Sequence, residues 1–131
     1  MMNGEHSAAL EFFPPENMKK VPFSEAVRVG NMLYLSGILG IDHSGKLIVG
    51  GIAEETRQAL ENIQAILTRH GSDLDHIVKV TVMLADMGEW AEMNKVYVPY
   101  FPEHLPARSA FGTTGLALGA RVEIECVAVL K

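Results

Sequence analysis

Residues 77–84 read Ile-Val-Lys-Val-Thr-Val-Met-Leu, a run rich in β-branched residues that predicts a β-strand. Successive side chains of a strand point to opposite faces, so every second residue shares a face. One face is expected to hold Val78, Val80, Val82 and Leu84. The other is expected to hold Ile77, Lys79, Thr81 and Met83. A strand with one wholly apolar face needs a covering layer, and the neighbouring segments can supply it.

The segment before this strand has the period of an amphipathic helix. One stripe at helical spacing holds Ile52, Thr56, Ala59, Leu60, Ile63, Ile66, Leu67 and His70. Glu54 and Glu55 fall in the first turn and Arg69 in the last, which suits the helix dipole. Gly71 then supplies a C-terminal stop. We predict a helix over residues 52–70.

A second helix is predicted after the strand. Asp86 and Glu89 resemble a capping pair. Helical spacing then continues through Trp90, Met93, Tyr97 and Phe101. Pro99 falls inside this pattern, where it removes a hydrogen bond at a cost of roughly 3 kcal/mol. The last turn of the second helix is therefore expected to be kinked or absent.

Further strands are predicted near both ends of the chain. The Gly-Asn pair at 30–31 separates two apolar runs and favours a tight hairpin turn. A turn signal at 42–45 precedes a short apolar run at 47–49, which is predicted to add a strand. The two last strands are predicted at 108–114 and 121–130, joined by a Gly-rich connection.

The order of strands, helix, strand, helix and strands indicates an α+β fold with two helices on one face of a sheet. A chain of 131 residues is long enough for one ordinary core. We predict an N-terminal arm over 1–20, ended by the Pro-Pro pair at 14–15, and a single domain over 21–131. The uncovered face is expected to be apolar in part, because the last strands and their connection carry Phe111, Leu116, Val127 and Val129. Such a face predicts oligomerisation.

Composition narrows the classes of function. Sixteen acidic and eleven basic residues give a formal net charge of -5 and a pI near 5.5, so no net field attracts nucleic acid or anionic lipid. The single cysteine, Cys126, cannot form an internal disulfide, and a reducing cytoplasm is the expected location. The longest uncharged run, residues 29–41, is too short to cross a bilayer, and the first ten residues lack a basic start. Neither secretion nor a membrane partner is expected.

The common catalytic and cofactor motifs are missing from the sequence. It contains no GxGxxG, GxxxxGK[ST], HExxH, GxSxG or CxxC pattern. Its five histidines are scattered without an i, i+4 pair, so no metal site is expected.

Arg108 is a candidate anion-binding residue. It follows Pro106 and Ala107 and is the first long polar side chain of a predicted strand. A guanidinium offers a fixed fork that matches a carboxylate with two parallel hydrogen bonds. The sequence therefore favours a small carboxylate as the ligand. The alternative is a surface charge whose aliphatic stem covers apolar surface.

Glu123 and Glu125 are candidates for general acid or base catalysis. They share one face of the last strand, roughly 7 Å apart by the strand rise. The alternative is that both are solvated or paired with Arg121 and Lys79. Cys126 falls on the opposite face and is expected to be a small core residue.

Several blocks of the sequence resemble the RidA/YjgF family of enamine/imine deaminases, in unbroken order from about residue 21 to 130. The blocks are Pro22-Phe23-Ser24-Glu25-Ala26-Val27, Leu35-Ser36-Gly37, Thr56-Arg57-Gln58-Ala59-Leu60-Glu61-Asn62-Ile63, Val78-Lys79-Val80-Thr81-Val82, Asn94-Lys95-Val96-Tyr97, Phe101-Pro102-Glu103-His104, Pro106-Ala107-Arg108-Ser109 and Val122-Glu123-Ile124-Glu125.

The resemblance implies a chorismate-mutase-like fold, a mixed β-sheet with two helices packed on one face. It also implies a homotrimer with a central β-barrel and ligand sites between subunits. By the same resemblance Arg108 grips the substrate carboxylate and Glu123 positions or activates the hydrolytic water. Further substrate contacts are expected at Phe23, Ser36, Gly37 and Ala110.

The implied reaction is hydrolysis of short-lived 2-aminoacrylate or 2-aminocrotonate, as imines, to 2-keto acids and ammonia without a metal or organic cofactor. A related imine such as 3-aminoacrylate is one alternative substrate. A non-catalytic module that binds small carboxylates is another alternative. Some members of the family are described as ribonucleases or translation inhibitors, but the acidic charge and the lack of a basic aromatic patch oppose that function here.

Three positions depart from the family pattern. Phe23 stands where a tyrosine is frequent, Ala110 where some members have cysteine, and Ile38-Leu39-Gly40 where Gln-Ile-Pro is frequent. The first change removes a hydroxyl from the expected site. The backbone amide of Ala110 and the ring of Phe23 remain available to a ligand.

Overall fold

The computed structural model describes residues 9–16 and 20–131. In these residues two helices and a seven-stranded sheet form the fold. The strands are β1 (Leu10–Phe13), β2 (Ala26–Val29), β3 (Met32–Leu35), β4 (Ile38–Leu39), β5 (Ile77–Leu84), β6 (Ala107–Gly112) and β7 (Val122–Val129). The helices are α1 (Gly51–Arg69) and α2 (Trp90–Tyr97).

The sheet is mixed, as the fold prediction required. Its order is β1-β2-β3-β7-β5-β6, with β4 also paired to β7. β5 and β6 run parallel and α2 lies in the connection between them, whereas the other pairs are antiparallel. A parallel pair needs a crossover of this kind, because a two-residue turn cannot return the chain to the same end of the sheet. β6 is therefore an edge strand beside α2.

Both helices cover one face of the sheet, which confirms the predicted α+β architecture. Leu60, Ile63 and Leu67 of α1 and Met93 of α2 are fully buried in one core with the apolar face of β5 and β7. Gly71 has a φ of +86°, a conformation that suits glycine and ends α1 at the predicted place. The helix periodicity of the sequence was thus sufficient to locate the covering layer.

The hairpin and the break near Pro99 also agree with the sequence. β2 and β3 pair around Gly30, whose φ is +57°, with Val29 opposite Met32. After Tyr97 the chain continues as a single 3₁₀ turn over residues 98–100 that contains Pro99. The tighter turn lets the chain pass the proline without the lost hydrogen bond of an α-helix interior.

Three sequence-based expectations were wrong. Leu10–Phe13 lies in the predicted loose arm but forms β1, which pairs with β2 along its whole length. The run at 47–49 forms no strand, and only Leu47 makes an isolated bridge, to Ile41. In β5 a register shift between Ile77 and Lys79 breaks the alternation, so Ile77 is buried and Val78 is exposed. A bulge of this kind turns the residues before it to the opposite faces.

The second face of the sheet has no covering helix among the described residues and is apolar in part, as predicted. Four exposed apolar side chains on this face are Leu10, Phe12, Tyr34 and Phe111. Tyr34 pairs with Val127 of β7, and Phe111 with Met83 of β5. We refer to this surface as the open face. In the described ranges, neither α1 nor any other helix has the length and hydropathy needed to cross a membrane.

Candidate active site

Three residues of α2 prepare the surroundings of Arg108. Trp90, Asn94 and Tyr97 are spaced i, i+4 and i+7, so they lie on one side of the helix. Arg108 of β6 pairs in register with Val80 of β5, a residue whose side chain is buried beneath the helices. The arginine therefore points to the helix-covered face and meets this side of α2.

The Arg108 guanidinium is held by an amide and by aromatic rings. Its Nη1 donates a hydrogen bond of 2.7 Å to Oδ1 of Asn94. Its Cζ lies 4.7 Å from the centroid of the Tyr97 ring and 5.9 Å from that of the Trp90 ring, within the range of a cation–π contact. A cavity of about 280 Å³ adjoins the guanidinium, with Val98, Leu105 and Pro106 completing its walls. This arrangement is a built cation site, not a surface charge in open solvent.

Tyr97 forms the floor beneath the cation. The residue is buried, and burial raises the pKa of its hydroxyl to about 12. The ring is therefore neutral at physiological pH and presents its negative π-face to the guanidinium. Sequence reasoning identified Trp90 and Tyr97 as helix-stripe residues and missed their contact with Arg108. Their spacing with Asn94 on α2 was the available signal, but it becomes meaningful only once β6 is known to lie beside that helix.

Glu123 occupies the open face of the sheet. It alternates along β7 with buried Val122 and Ile124, and it pairs with Leu39 on one side and Met83 on the other. Burial raises the pKa of its carboxyl above the usual 4.5, and the negative charge of Glu125 raises the pKa further. A carboxyl with a raised pKa holds a proton more readily than an ordinary glutamate, which suits it both to take and to return a proton. Nε of Arg121 donates to Glu89 at 2.7 Å, so the alternative in which Arg121 pairs with the glutamates of β7 does not form.

Gly37 provides the space in which the Glu123 carboxylate lies. Ser36 and Gly37 separate β3 from β4. An ideal Cβ on Gly37 would lie 1.8 Å from Oε2 of Glu123. Any side chain at this position would collide with the carboxylate. Steric exclusion therefore explains the glycine in the Leu35-Ser36-Gly37 block, since only glycine lets the backbone pass so close to the Glu123 carboxylate.

We predict that Gly37→Ala lowers kcat for any reaction that uses Glu123 by roughly tenfold, because the new methyl group pushes the carboxylate aside. The fold should tolerate the change, since the colliding atoms belong to the end of a flexible side chain. Gly112→Ala is the matched control, because its Cβ would meet the flexible Met87 side chain at 2.9 Å. Unchanged kcat in Gly37→Ala, measured with an unchanged melting temperature, would contradict this role.

The raised pKa of Glu123 also predicts a pH-dependent stability effect. A carboxyl that holds its proton more tightly in the folded state destabilises the fold once it ionises, and stability falls as the pH rises through its folded pKa. Glu123→Gln should therefore raise the melting temperature at pH 7.5, and the gain should shrink as the pH approaches 4.5. Glu125→Gln is the control and should give a smaller gain, because that side chain is exposed. A lower melting temperature in Glu123→Gln at pH 7.5 would refute the assignment.

Phe23 and Gly37 line a second and larger cavity of about 680 Å³. Ala117, Leu118 and the exposed side of α1 near Asn62 complete its walls. Phe23 is half-exposed at this cavity, consistent with an apolar wall. The Ser36 hydroxyl donates to the carbonyl of Ser24, so it can only accept a hydrogen bond from a ligand.

Glu25 lines the same cavity as Phe23. It is 6% exposed, and both of its carboxylate oxygens accept hydrogen bonds from Nη2 of Arg69, at 2.7 and 2.9 Å. Nε2 of His70 lies 2.8 Å from the same carboxylate, and the His70 ring stacks on Phe13 of β1. The Glu25 carbonyl also accepts from the peptide N–H of Ser36 at 3.1 Å. This cluster ties the end of α1 and β1 to the segment that precedes Gly37.

The structure separates the predicted site residues into two groups. Arg108 and Ala110 lie on the helix-covered face of edge strand β6, whereas Glu123 lies on the open face, with β5 between the two strands. Gly37 belongs with Glu123, because an ideal Cβ on Gly37 would overlap the carboxylate, and Phe23 shares with Gly37 the larger cavity beside α1. One chain therefore does not bring Arg108 and Glu123 together.

Two other expectations concern metal ligands and Cys126. Cys126 is buried in the core, and burial raises the pKa of its thiol to about 12, as expected for an unreactive core residue. Within residues 9–16 and 20–131, no three His, Cys, Asp or Glu side chains are grouped as metal ligands would be.

Comparison with known proteins gives consistent matches. The family model described as Endoribonuclease L-PSP matches residues 16–130. The 2-iminobutanoate/2-iminopropanoate deaminase of Mus musculus is 47% identical over 109 residues, which cover 82% of this chain and 81% of the mouse protein. Among solved structures, yeast Mmf1 is 38% identical with a TM-score of 0.86, covering 94% of this chain and 100% of that one. The Rid-family protein YyfA of Yersinia pestis is 34% identical with a TM-score of 0.88, covering 93% of this chain and 100% of that one. The chain belongs to the RidA/YjgF family.

Proposed function

We propose that this protein hydrolyses 2-aminoacrylate and 2-aminocrotonate, through their imine forms, to 2-keto acids and ammonia. The observation that carries the proposal is the Arg108 guanidinium, held beside a small cavity by a neutral amide and an aromatic floor. A cation presented in this way suits a small carboxylate. The deaminase names of the mammalian relatives support the same chemistry.

The reaction needs only water and proton transfers. For 2-aminoacrylate, the enamine first becomes the imine CH₃–C(=NH)–COO⁻ by moving a proton from nitrogen to the terminal carbon. Water then adds to the imine carbon, and Glu123 takes one proton from that water. Glu123 returns that proton to the nitrogen, which gives the adduct CH₃–C(OH)(NH₂)–COO⁻. The hydroxyl proton of this adduct then passes to the nitrogen through Glu123 as the C–N bond breaks, which leaves pyruvate and ammonia. The raised pKa of Glu123 suits both steps.

We propose that the complete site forms between two copies in a homotrimer. Arg108 and Glu123 lie on opposite faces of one sheet, so a substrate that touches both needs a second copy. The open face carries exposed apolar side chains that a neighbouring copy would cover. Packing three open faces together would place the sheets around a central barrel and leave the β6 edges at the contacts between copies.

The decisive assay forms 2-aminoacrylate in place with a pyridoxal-phosphate-dependent serine dehydratase and follows the loss of its absorbance. Addition of the wild-type protein should accelerate that loss. Because the intermediate also hydrolyses in water, the uncatalysed rate is the reference. No acceleration over that rate refutes the proposal, and a panel that includes 3-aminoacrylate decides which imine is preferred.

A non-catalytic carboxylate-binding module is the second candidate. The observation that favours it is Phe23, which lines the larger cavity without the hydroxyl that the family often supplies there. Calorimetry with 2-oxobutanoate separates the two candidates. Binding without any deaminase activity would select the module, whereas binding together with turnover selects the enzyme.

Ribonuclease activity has less support, although the family model is described by that name. The net charge is -5, and four of the five arginines are paired with glutamates. The net negative charge therefore disfavours association with a phosphate backbone. Salt-sensitive binding of RNA would revive this alternative.

We further propose a cytoplasmic location. The proposal is supported by the sole cysteine, which is free and buried, so the fold depends on no disulfide and is compatible with a reducing compartment. Fluorescence of a tagged full-length chain checks this location.

A further inference from the structure

We propose that Asn94 is the positioning residue that orients the Arg108 fork, and that it sets the preference for substrates with a carboxylate over neutral ones. This inference rests on the proposed function. Asn94 touches the guanidinium and not the reacting atoms, so it acts through Arg108.

The partner of Arg108 distinguishes it from the other arginines of the chain. The chain has five arginines, and four of them bond to glutamates: Arg28 to Glu11, Arg57 to Glu54, Arg69 to Glu25 and Arg121 to Glu89. Arg108 instead donates to the neutral Asn94 amide, at 2.7 Å. Among the described residues no carboxylate lies within ion-pairing distance of it. Arg108 thus keeps its positive charge available for a ligand.

The contacts of Arg108 leave one edge of the fork open. A guanidinium carries five N–H donors and no acceptor, so it is the Asn94 oxygen that must face it. Asn94 engages Nη1, and within the described ranges no acceptor has hydrogen-bond geometry to Nε or Nη2, the nearby buried Tyr97 hydroxyl included. The Nε and Nη2 donors lie on one edge of the plane and match the two oxygens of a carboxylate. The open edge is the one a substrate requires.

Two constraints together fix the fork. The Tyr97 ring, 4.7 Å from Cζ, holds the positive charge in place through a cation–π contact. That contact depends mainly on distance, whereas the Asn94 hydrogen bond is directional and fixes which way the N–H donors point. Without Asn94 the charge would remain over the ring, but the open edge would turn away from its productive direction.

The neutral charge of Asn94 is as important as its position. An aspartate at this place would hold the guanidinium more tightly and would compete with the substrate carboxylate for the same cation. An amide orients the fork without neutralising it. The proposal therefore predicts opposite failures for two substitutions: Asn94→Ala loosens the fork, and Asn94→Asp occupies it.

The test measures deamination kinetics and ligand binding in the full-length protein. We expect Asn94→Ala to raise KM about tenfold with kcat within about twofold, and Asn94→Asp to raise KM about a hundredfold. The dissociation constant of 2-oxobutanoate should rise in the same proportions. That of its neutral amide, 2-oxobutanamide, should change less than twofold.

Two controls separate this role from general effects. Lys95→Gln changes the net charge by the same single negative unit as Asn94→Asp at an exposed neighbouring position, and it should leave KM unchanged. Asn94→Ala favours the helix, because alanine is the better helix former, so weaker binding cannot come from a weakened α2. Melting temperatures should stay near that of the wild type.

The outcomes distinguish this inference from the proposed function. If the wild type deaminates and Asn94→Ala keeps its KM and its affinity for 2-oxobutanoate, the inference is overturned and the function stands. Equal losses for 2-oxobutanoate and 2-oxobutanamide also overturn it. If the wild type binds 2-oxobutanoate without turnover, the function fails and the binding series still decides the role of Asn94. A wild type that does neither refutes both.

Discussion

Arg108→Ala is expected to lower kcat/KM for 2-aminoacrylate by about a thousandfold, equivalent to ~4 kcal/mol of transition-state binding. Among the described residues that line the smaller cavity, Arg108 alone can meet a carboxylate with two parallel hydrogen bonds, and the substitution removes it. It also leaves the aromatic floor of Tyr97 without its cation. The measurement is the initial rate of 2-aminoacrylate loss over a range of substrate concentrations.

Two companion variants give this result its meaning. Arg108→Lys keeps the charge and loses the fork, so it should retain more activity than Arg108→Ala and less than the wild type. Arg28→Ala removes an arginine from an exposed pair with Glu11 and should have wild-type kinetics. Wild-type kcat/KM in a folded Arg108→Ala protein would show that the guanidinium does not anchor the substrate.

Arg69→Met is expected to lower the free energy of unfolding by about 3 kcal/mol, because it leaves the Glu25 carboxylate buried without its main partner. The value is placed at the low end of such effects because His70 still lies 2.8 Å from Glu25. Denaturant unfolding, at the same chain concentration for each variant, measures it.

The control for Arg69→Met is on the same helix. Arg57 forms a pair of equal length, 2.7 Å, with Glu54, but both side chains are nearly half-exposed. Arg57→Met should therefore cost less than about 1 kcal/mol. A double variant, Arg69→Met with Glu25→Gln, should recover part of the loss by removing the stranded charge. Equal costs for Arg57→Met and Arg69→Met would contradict the argument from burial.

The sequence predicted those parts of the fold that depend on local pattern. The stripe of α1, the alternation of β7 and the hairpin turn at Gly30 each depend on neighbours close in sequence, and each was found where expected. β1 was missed because a four-residue run becomes a strand only through its pairing with β2. The inversion at Ile77 and Val78 depends on a bulge against β7, which no pattern within β5 reveals.

The candidate site shows the same division. Arg108 and Glu123 could be chosen from residue type and family resemblance, and the alternation of β7 already placed Glu123 opposite Cys126. The contacts of Asn94 and Tyr97 with Arg108 could not be predicted, because they need β6 to return beside α2 after a parallel crossover. The close approach of Gly37 to Glu123 likewise joins residues far apart in sequence.

The separation of Arg108 and Glu123 to opposite sides of one sheet has a consequence for the life of the chain. If the proposed function holds, a newly synthesised chain that has folded alone carries Arg108 and Glu123 in two separate partial sites. It is therefore inactive. Turnover then begins only when copies associate, so any change that weakens association also lowers the catalytic activity.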